Sequence, residues 1–325
     1  MGTREELLSL FENHKGVYFS GEIIAERLSL SRAAVWKAVK GLQSEGYCID
    51  AVRNKGYCLA VDTDILSVQG IEKYLEPICS GLKLSVFPTL DSTNTLVRDK
   101  AADGAPEGYT VIAGSQTGGR GRSGRSFYSP ADTGIYLSLL LRPCCYSPSQ
   151  AVRLTTMAAV AVCEAIEAVS EKKALIKWVN DIYVDNKKVC GILTEASFGL
   201  EDGFLEYAVL GVGINVSPPK GGFPPELESV ASSIFDQPQN DGKNRLAAEF
   251  LNRFMTHYSL LEKGCYIQEY RNRSFVIGKR IQVILPQQIR EALALDVDQD
   301  CQLLVEYENG KREYLSSGEI SVKLF

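Results

Sequence analysis

Histidine is nearly missing from this chain: His14 and His257 are the only two in 325 residues. A Ser-His-Asp triad or a histidine-based metal centre cannot readily be assembled from so few, and both sit in polar helical contexts that predict solvated helix-surface side chains. Cysteine is present but unpatterned. There are nine, no pair has CxxC spacing, and Cys144 and Cys145 are adjacent. Reduced thiols are expected, including Cys48 and Cys58, which flank an expected hairpin. No apolar run approaches the ~18 residues of a membrane span, and the opening MGTREELLSLFENHKG has no signal-like apolar stretch. A cytoplasmic protein with no membrane partner is therefore expected. Net positive charge is also lacking. At −5 overall, the chain can contact nucleic acid only through a local patch.

The length exceeds that of one typical domain, so two or three are expected. Residues 1–63 read as helices followed by a hairpin: a helix near Arg4–Asn13, a second over Glu22–Leu28 capped by Ser20, and a third over Ser31–Ser44. The second would bury Ile23, Ile24 and Leu28; the third, Ala34, Val35, Ala38, Val39 and Leu42. YCIDAVRNKGYCLA then reads strand–turn–strand, turning near Asn54-Lys55-Gly56. Helix, turn, helix and β wing form the winged helix-turn-helix pattern. Its last helix carries Arg32, Lys37 and Lys40 and no acid, and the wing adds Arg53 and Lys55. That segregated charge suits phosphate contact.

Beyond a linker at Asp62-Thr63-Asp64, residues 64–273 alternate strands and helices. LKLSVFPTL, GYTVIAGSQ, GIYLSLLLRP and FLEYAVLGVGINVS read as strands, and PSQAVRLTTMAAVAVCEAIEAVS as a long buried helix. ALIKWVNDIYVDNKKVCGILTEASF reads strand, turn, strand, with Asp185-Asn186 opening the turn. Residues 274–325 have a period of two, broken by Asn-Gly and Ser-Gly, which predicts a small β-barrel. The fold class expected is α+β.

Four motifs carry chemistry. GGRGRSGRSFYSP, Gly118–Pro130, has four glycines, three arginines and no acid. Glycine lets backbone N–H groups approach an anion, and arginine offers a planar fork to phosphate. Two apolar strands bracket the segment and it occurs once, so it is a loop of a folded domain rather than an RGG-type RNA-binding tail. No Gly-Lys-Ser/Thr closes it as a Walker loop. KWVND with Lys187-Lys188 would cluster Lys177, Asn180, Asp181 and Lys188 at a hairpin, two ammoniums beside a carboxylate. DSTN, Asp91–Asn94, reads equally as a helix cap or as a polar wall. GVGIN, Gly211–Asn215, ends a strand and is no dinucleotide fingerprint, because no helix follows.

These motifs, in this order and behind a winged helix, resemble the bifunctional biotin–protein ligase and biotin operon repressor family over essentially all 325 residues, including the terminal SGEISV. The resemblance implies a winged helix-turn-helix over 1–63, a catalytic domain over 64–273 related to the class II synthetase fold, and an SH3-like barrel over 274–325. It implies that biotin is activated by ATP and Mg2+ to biotinyl-AMP and passed to a lysine of a biotin carboxyl carrier protein. A homodimer with biotinyl-AMP as corepressor would bind operator DNA. Ser92, Thr93, Asn94 and Gln116 would line the biotin pocket. Arg120, Gly121 and Arg122 would form the loop over biotin and adenylate, joined on the adenylate by Arg125 and Phe127. Lys188 would approach the biotin carboxylate and α-phosphate, Asn180 and Asp181 would place ATP and the acceptor amine, and Asn215 would lie near the adenylate. The catalytic set is Lys188, Arg120 and Asp181. The chain departs from the family pattern at Val179, where proline is usual, and at Ser123, where a third basic residue occurs. Two other readings stay open from the residues: a lipoate- or octanoate-type ligase, and a ligand-sensing repressor without ligase activity.

Overall fold

Ser20 and Ser31 cap the helices they precede. In a computed structural model, which describes residues 2–143, 146, 151–199, 203–285, 288–316 and 319–322, their hydroxyls each accept a backbone N–H, from Ile23 and Ala34, at 3.1 Å. A cap of this kind contributes about 1 kcal/mol. The N-terminal elements are α1 (Thr3–Glu12), α2 (Gly21–Arg27), α3 (Arg32–Ser44), and a hairpin of β1 (Ile49–Val52) and β2 (Gly56–Leu59) paired Ile49 to Leu59. Leu7, Leu8, Phe11, Ile24, Val35, Val39 and Leu42 close their core. Ile23 does not join it and is 44% exposed. It lies about 100° around the helix from Ile24, so only one of the two can face α3.

The linker is stitched down. Lys243 donates its backbone N–H to Asp64 at 2.9 Å, Asn244 donates to Ile65 O at 2.8 Å, and Lys15 reaches Thr63 O at 2.7 Å. Beneath it, Glu12 and Asp241 are paired with Lys15 and Lys73, with Lys73 to Asp241 at 2.5 Å and Lys73 to Glu12 at 2.8 Å. The Glu12 side chain is fully buried. Two cations compensate two anions, as buried charge requires.

The rest of the chain runs α4 (Val68–Glu72), β3 (Lys83–Phe87), α5 (Thr93–Ala102), β4 (Tyr109–Ala113), β5 (Gly134–Leu141), α6 (Val152–Val169), β6 (Leu175–Lys177), β7 (Asp181–Val184), β8 (Lys187–Phe198), β9 (Leu205–Asn215), α7 (Pro225–Glu228), α8 (Gly242–Ser259) and α9 (Ile267–Arg273). Seven strands form one sheet in the order β3-β4-β5-β9-β8-β7-β6, with β3–β4 parallel and every other pair antiparallel. β5 is buried along its whole length because both faces are covered. Val111, Leu140 and Val209 pack with Val97 and Ala101 of α5, while Ile112, Leu139, Leu141 and Leu210 belong to the core of α6 and α8. The alternation of neighbours along each strand follows from the pleat. Ala158, Ala159, Val160, Ala161, Val162 and Ala165 on α6 are fully buried, letting helix and sheet approach closely. Cys144, Cys145 and residues 148–150 of the expected long helix lie outside the described residues.

The segment expected as strand, turn, strand holds three strands. Residues 178–180 form a second tight turn, so that Lys177 pairs with Asp181. The expected turn, at Asp185 and Asn186, has positive φ at both positions, the geometry of a two-residue hairpin loop. The C-terminal strands β10 (Arg280–Leu285), β11 (Gln288–Val297), β12 (Leu303–Tyr307), β13 (Arg312–Leu315) and β14 (Glu319–Val322) form a five-stranded antiparallel sheet ordered β13-β12-β11-β10-β14. Trp178 ties it to the central sheet by donating its indole N–H to Cys301 O at 3.0 Å. No helix among the described residues is long and apolar enough to cross a membrane.

Candidate active site

The middle of the seven-stranded sheet opens into a cavity of about 160 Å³. α5 supplies one wall. Ser92 caps it, and Thr93 and Asn94, its first residues, turn inward. Thr93 donates its backbone N–H to Gln116 Oε1 at 2.8 Å, and its hydroxyl lies 3.1 Å from the same oxygen. Ser138, fully buried on β5, places its hydroxyl 2.6 Å from Asn94 Oδ1 and 2.8 Å from Thr93 Oγ1. DSTN is therefore both cap and wall, and its buried polar groups are joined in one network.

The floor is glycine by necessity. A methyl at Gly211 would collide with the Asn94 carboxamide oxygen, and one at Gly213 would stand 2.6 Å from the Phe127 ring. Phe127 thus packs flat over β8 and β9 where GVGIN leaves room.

The loop that holds Phe127 is ordered by its own backbone. Gly121 N–H reaches Arg125 O at 2.7 Å, and Phe127 N–H reaches Gly119 O at 2.9 Å. Ser123 sits in the left-handed region at φ 54, uncommon for a residue other than glycine. Arg122 donates to Asn180 Oδ1 at 2.9 Å. Asn180 is pinned to β8 by its own bond to Ile192 O at 2.8 Å. Lys188 stands 2.6 Å from Asp181. The sequence-predicted residues Ser92, Thr93, Asn94, Gln116, Arg120, Gly121, Arg122, Arg125, Phe127, Lys177, Asn180, Asp181 and Lys188 all line this one cavity. Among the described residues five cations and one carboxylate face it, so the site favours a polyanion. Tyr136 also lines it, with burial pushing its phenol up to about 12; it is a fixed hydrogen-bond donor at neutral pH, here to Pro130 O at 3.2 Å.

Asn215 is not brought into the cavity; it donates to Ser232 O at 3.0 Å and holds the following loop. Trp178 and Ile320 line the cavity and Glu195 stands behind it, none of them singled out from the sequence. The period of two along β8 puts Glu195 on the face of Gly191 and Leu193, which is the signal that could have found it. His257 is half-buried and lies 2.9 Å from Glu164, so it is not the solvated residue expected. His14 is exposed.

A second surface lies on the N-terminal helices. Arg32, Ala33, Trp36, Lys37 and Lys40 are exposed at helical spacing on one face of α3, and Arg53 and Lys55 are exposed on the hairpin turn. Trp36 is 56% exposed. Arg32 pairs with Glu22 at 2.7 Å in full solvent contact, worth little in stability.

The class, a protein ligase of the biotin/lipoate type, follows from three family matches along the chain. Residues 86–215 match the biotin/lipoate A/B protein ligase family, residues 3–58 an HTH domain, and residues 276–323 the biotin protein ligase C-terminal domain. The chain is 39% identical over 232 residues to the bifunctional ligase/repressor BirA of Bacillus subtilis, covering 71% of this chain and 70% of that protein. It is 28% identical over 325 residues to BirA of Escherichia coli, covering 98% and 96%. Its fold is similar to that of the biotin protein ligase from Aquifex aeolicus, with TM-score 0.61 and 24% identity over 74% of this chain and 98% of that one. The chain belongs to the bifunctional biotin–protein ligase/repressor family, and its enzyme class is that of a biotin ligase.

Proposed function

We propose that the chain joins biotin to ATP as biotinyl-5'-AMP and passes the biotinyl group to a lysine of a biotin carboxyl carrier protein. One observation carries this: five cations and one carboxylate converge on a cavity whose other end is a neutral hydrogen-bonding wall. Biotin has that polarity, a ureido ring at one end and a carboxylate at the other. Ser92, Thr93, Asn94 and Gln116 receive the ring. Lys188 receives the carboxylate and the α-phosphate, while Arg120, Gly121, Arg122, Arg125 and Phe127 cover the adenylate. The structure from Aquifex aeolicus is described as a complex with biotin and ATP, in agreement with this choice of substrates.

The barrier in the first step is repulsion between a carboxylate and a phosphate. The lysine and arginines lower it by neutralising and aligning both groups, with no protein nucleophile needed. Among the described residues no three carboxylate, thiol or imidazole side chains gather as a metal cage. The donor set fits a Mg2+ carried by the phosphates, with Asp181 as the protein's carboxylate and charge neutralisation as its chemistry. In the second step the acceptor amine, with a pKa of ~10.4 in solution, loses a proton before attack. Asp181 is held by Lys188 at 2.6 Å. Transfer of Lys188 to the incoming anion frees Asp181 to accept that proton. An Asp181→Asn chain that transfers from preformed adenylate at the wild-type single-turnover rate removes this role.

The exposed α3 face and hairpin turn then contact operator DNA, with biotinyl-AMP as corepressor and two copies of the chain reading a palindrome. Residues 1–63, 64–273 and 274–325 serve as the working units, the last as an SH3-like barrel. Incubation with biotin, ATP, Mg2+ and a carrier domain, read by intact mass, tests the ligase reading. A biotinyl adduct supports it. An adduct with lipoate or octanoate alone moves the chain to the sister class, and an adduct with neither acid leaves a sensing repressor.

A further inference from the structure

Glu195 is a carboxylate beside a site built for anions, where its sign works against binding. On β8 it stands outside the cavity lining, and each of its oxygens is committed to a different part of the site. Oε2 accepts from Asn94 Nδ2 at 2.9 Å. Oε1 lies 3.1 Å from Arg120 Nη1. A second guanidinium, Arg98 on α5, is 3.9 Å from Oε1. The Glu195 side chain is 24% exposed, against 43% for Arg120.

The bond to Asn94 decides which way that amide faces. Nδ2 is held by Glu195 and, at 3.3 Å, by Leu193 O, while Oδ1 receives the Ser138 hydroxyl at 2.6 Å. A flipped Asn94 would turn its oxygen toward two acceptors, the Glu195 carboxylate and Leu193 O, which is repulsive; the Ser138 hydroxyl can accept as well as donate and so does not decide the orientation. Without Glu195 nothing opposes the flip but one long bond. The bond to Arg120 acts on the other side. Arg120 begins the glycine-arginine loop, and Glu195 is fixed on a central strand of the sheet. A charge-assisted contact between the two anchors the entry limb of the loop to the wall that reads the ring.

We propose that Glu195 is a positioning residue that couples the two ends of the site. It holds Asn94 in the orientation that reads the neutral ring, and it tethers the loop so that the adenylate is retained. The inference rests on the ligase reading above, but its first readout does not.

The experiment compares wild type, Glu195→Ala and Glu195→Gln in the full chain. Biotin affinity is measured by equilibrium dialysis without ATP, KM for ATP by pyrophosphate exchange, and adenylate retention by rapid gel filtration of preformed complex. Glu195→Ala is expected to weaken biotin by ~10–100-fold, the scale of a lost charge-assisted hydrogen bond, with KM for ATP changed less than ~3-fold. It should also release adenylate ~10-fold faster, as a loop with one anchor fewer would. Glu195→Gln keeps an oxygen for Asn94 but no charge for Arg120. It should return biotin affinity to within ~3-fold of wild type while adenylate release stays fast, because only the charged partner is lost. Wild-type behaviour of Glu195→Ala in both measurements overturns the proposal. So does an equal loss for biotin and ATP that glutamine does not rescue, the mark of a structural residue. Should Glu195→Ala fail to fold, by circular dichroism, the split shown by Glu195→Gln decides alone. A wild-type chain that binds biotin but gives no exchange strikes the ligase reading and leaves the Asn94 half of the inference standing on the dialysis result.

Discussion

The protein keeps two sets of cations under opposite conditions. In the cavity each is placed by a neighbour: Lys188 by Asp181, Arg122 by Asn180, Arg120 by Glu195. On α3, Arg32, Lys37 and Lys40 stand exposed on a helix whose other face is buried. The first set works through geometry, because reacting groups must be aligned and dry. Under the proposed function the second works through charge near a phosphate backbone, where position within a few ångströms matters less. Single changes should therefore be severe and specific in the cavity, and mild and additive on the helix.

The largest effect is expected at Lys188. Lys188→Ala removes the cation proposed to meet the biotin carboxylate and also leaves Asp181, buried at Oδ1, without its counter-charge. Adenylate formation should fall by ~10²–10³, the cost of removing one group that stabilises developing charge. Circular dichroism should be unchanged. A loss under ~3-fold would make the cavity as forgiving as the helix and break the contrast.

The junction between the two regions comes next. Burial pushes Asp64 up to about 6, against the pull of Lys243 and Lys15 and with the repulsion of Asp241. The sign follows from the proton count. Between the ordinary carboxylate value and about 6, the unfolded chain has already released the proton that the folded chain keeps. Stability from this group therefore falls as pH rises through that window and is level above it. The total is on the order of 3 kcal/mol. Asp64→Asn cannot ionise. Its stability relative to wild type should grow between pH 4 and 6, read by urea unfolding. Parallel curves for the two chains would mean that Asp64 is solvated like the α3 face.

Gly211→Ala tests the cavity by addition. The new methyl has no room beside Asn94, and overpacking of this kind costs about 1–3 kcal/mol, so biotin affinity should drop by ~10–100-fold. The same substitution at Gly41, where nothing stands within 4 Å, should leave the fold intact and helix propensity slightly improved. This glycine pair also shows what a sequence discloses. GVGIN was visible as a motif, but the reason for its first glycine is an oxygen 117 positions earlier in the chain, and no local pattern encodes that. Charge and glycine content made the arginine loop readable, and spacing made the capped helices of residues 1–63 readable. The second turn at 178–180 was missed because Trp-Val is strand-forming by propensity and tertiary contacts override it: Tyr270 binds Val179 O at 3.1 Å and Trp178 binds Cys301 O. Glu195 was missed because its partners lie on α5 and on the glycine-arginine loop, both far from it in the chain.

The smallest single effects belong to α3. Lys37→Ala or Lys40→Ala removes an exposed side chain with no buried consequence, so stability should stay within ~0.5 kcal/mol. If each touches a phosphate, the slope of log affinity against log salt should shrink by about 1 per residue, uniformly across DNA sequences. Trp36→Ala is the discriminating companion. Its indole is the one large apolar group on that exposed face, and apolar contacts in the major groove go to thymine methyls. Its loss should leave the salt slope alone and weaken binding at particular thymines, an effect that deoxyuridine at those positions reproduces in the wild type. Equal salt slopes for Lys37→Ala and wild type would show that α3 does not meet the backbone. Biotin adenylation should be untouched in all three variants, since none of these side chains reaches the cavity. A loss there would mean that the two regions communicate through the buried Glu12, Lys73 and Asp241 cluster that joins them.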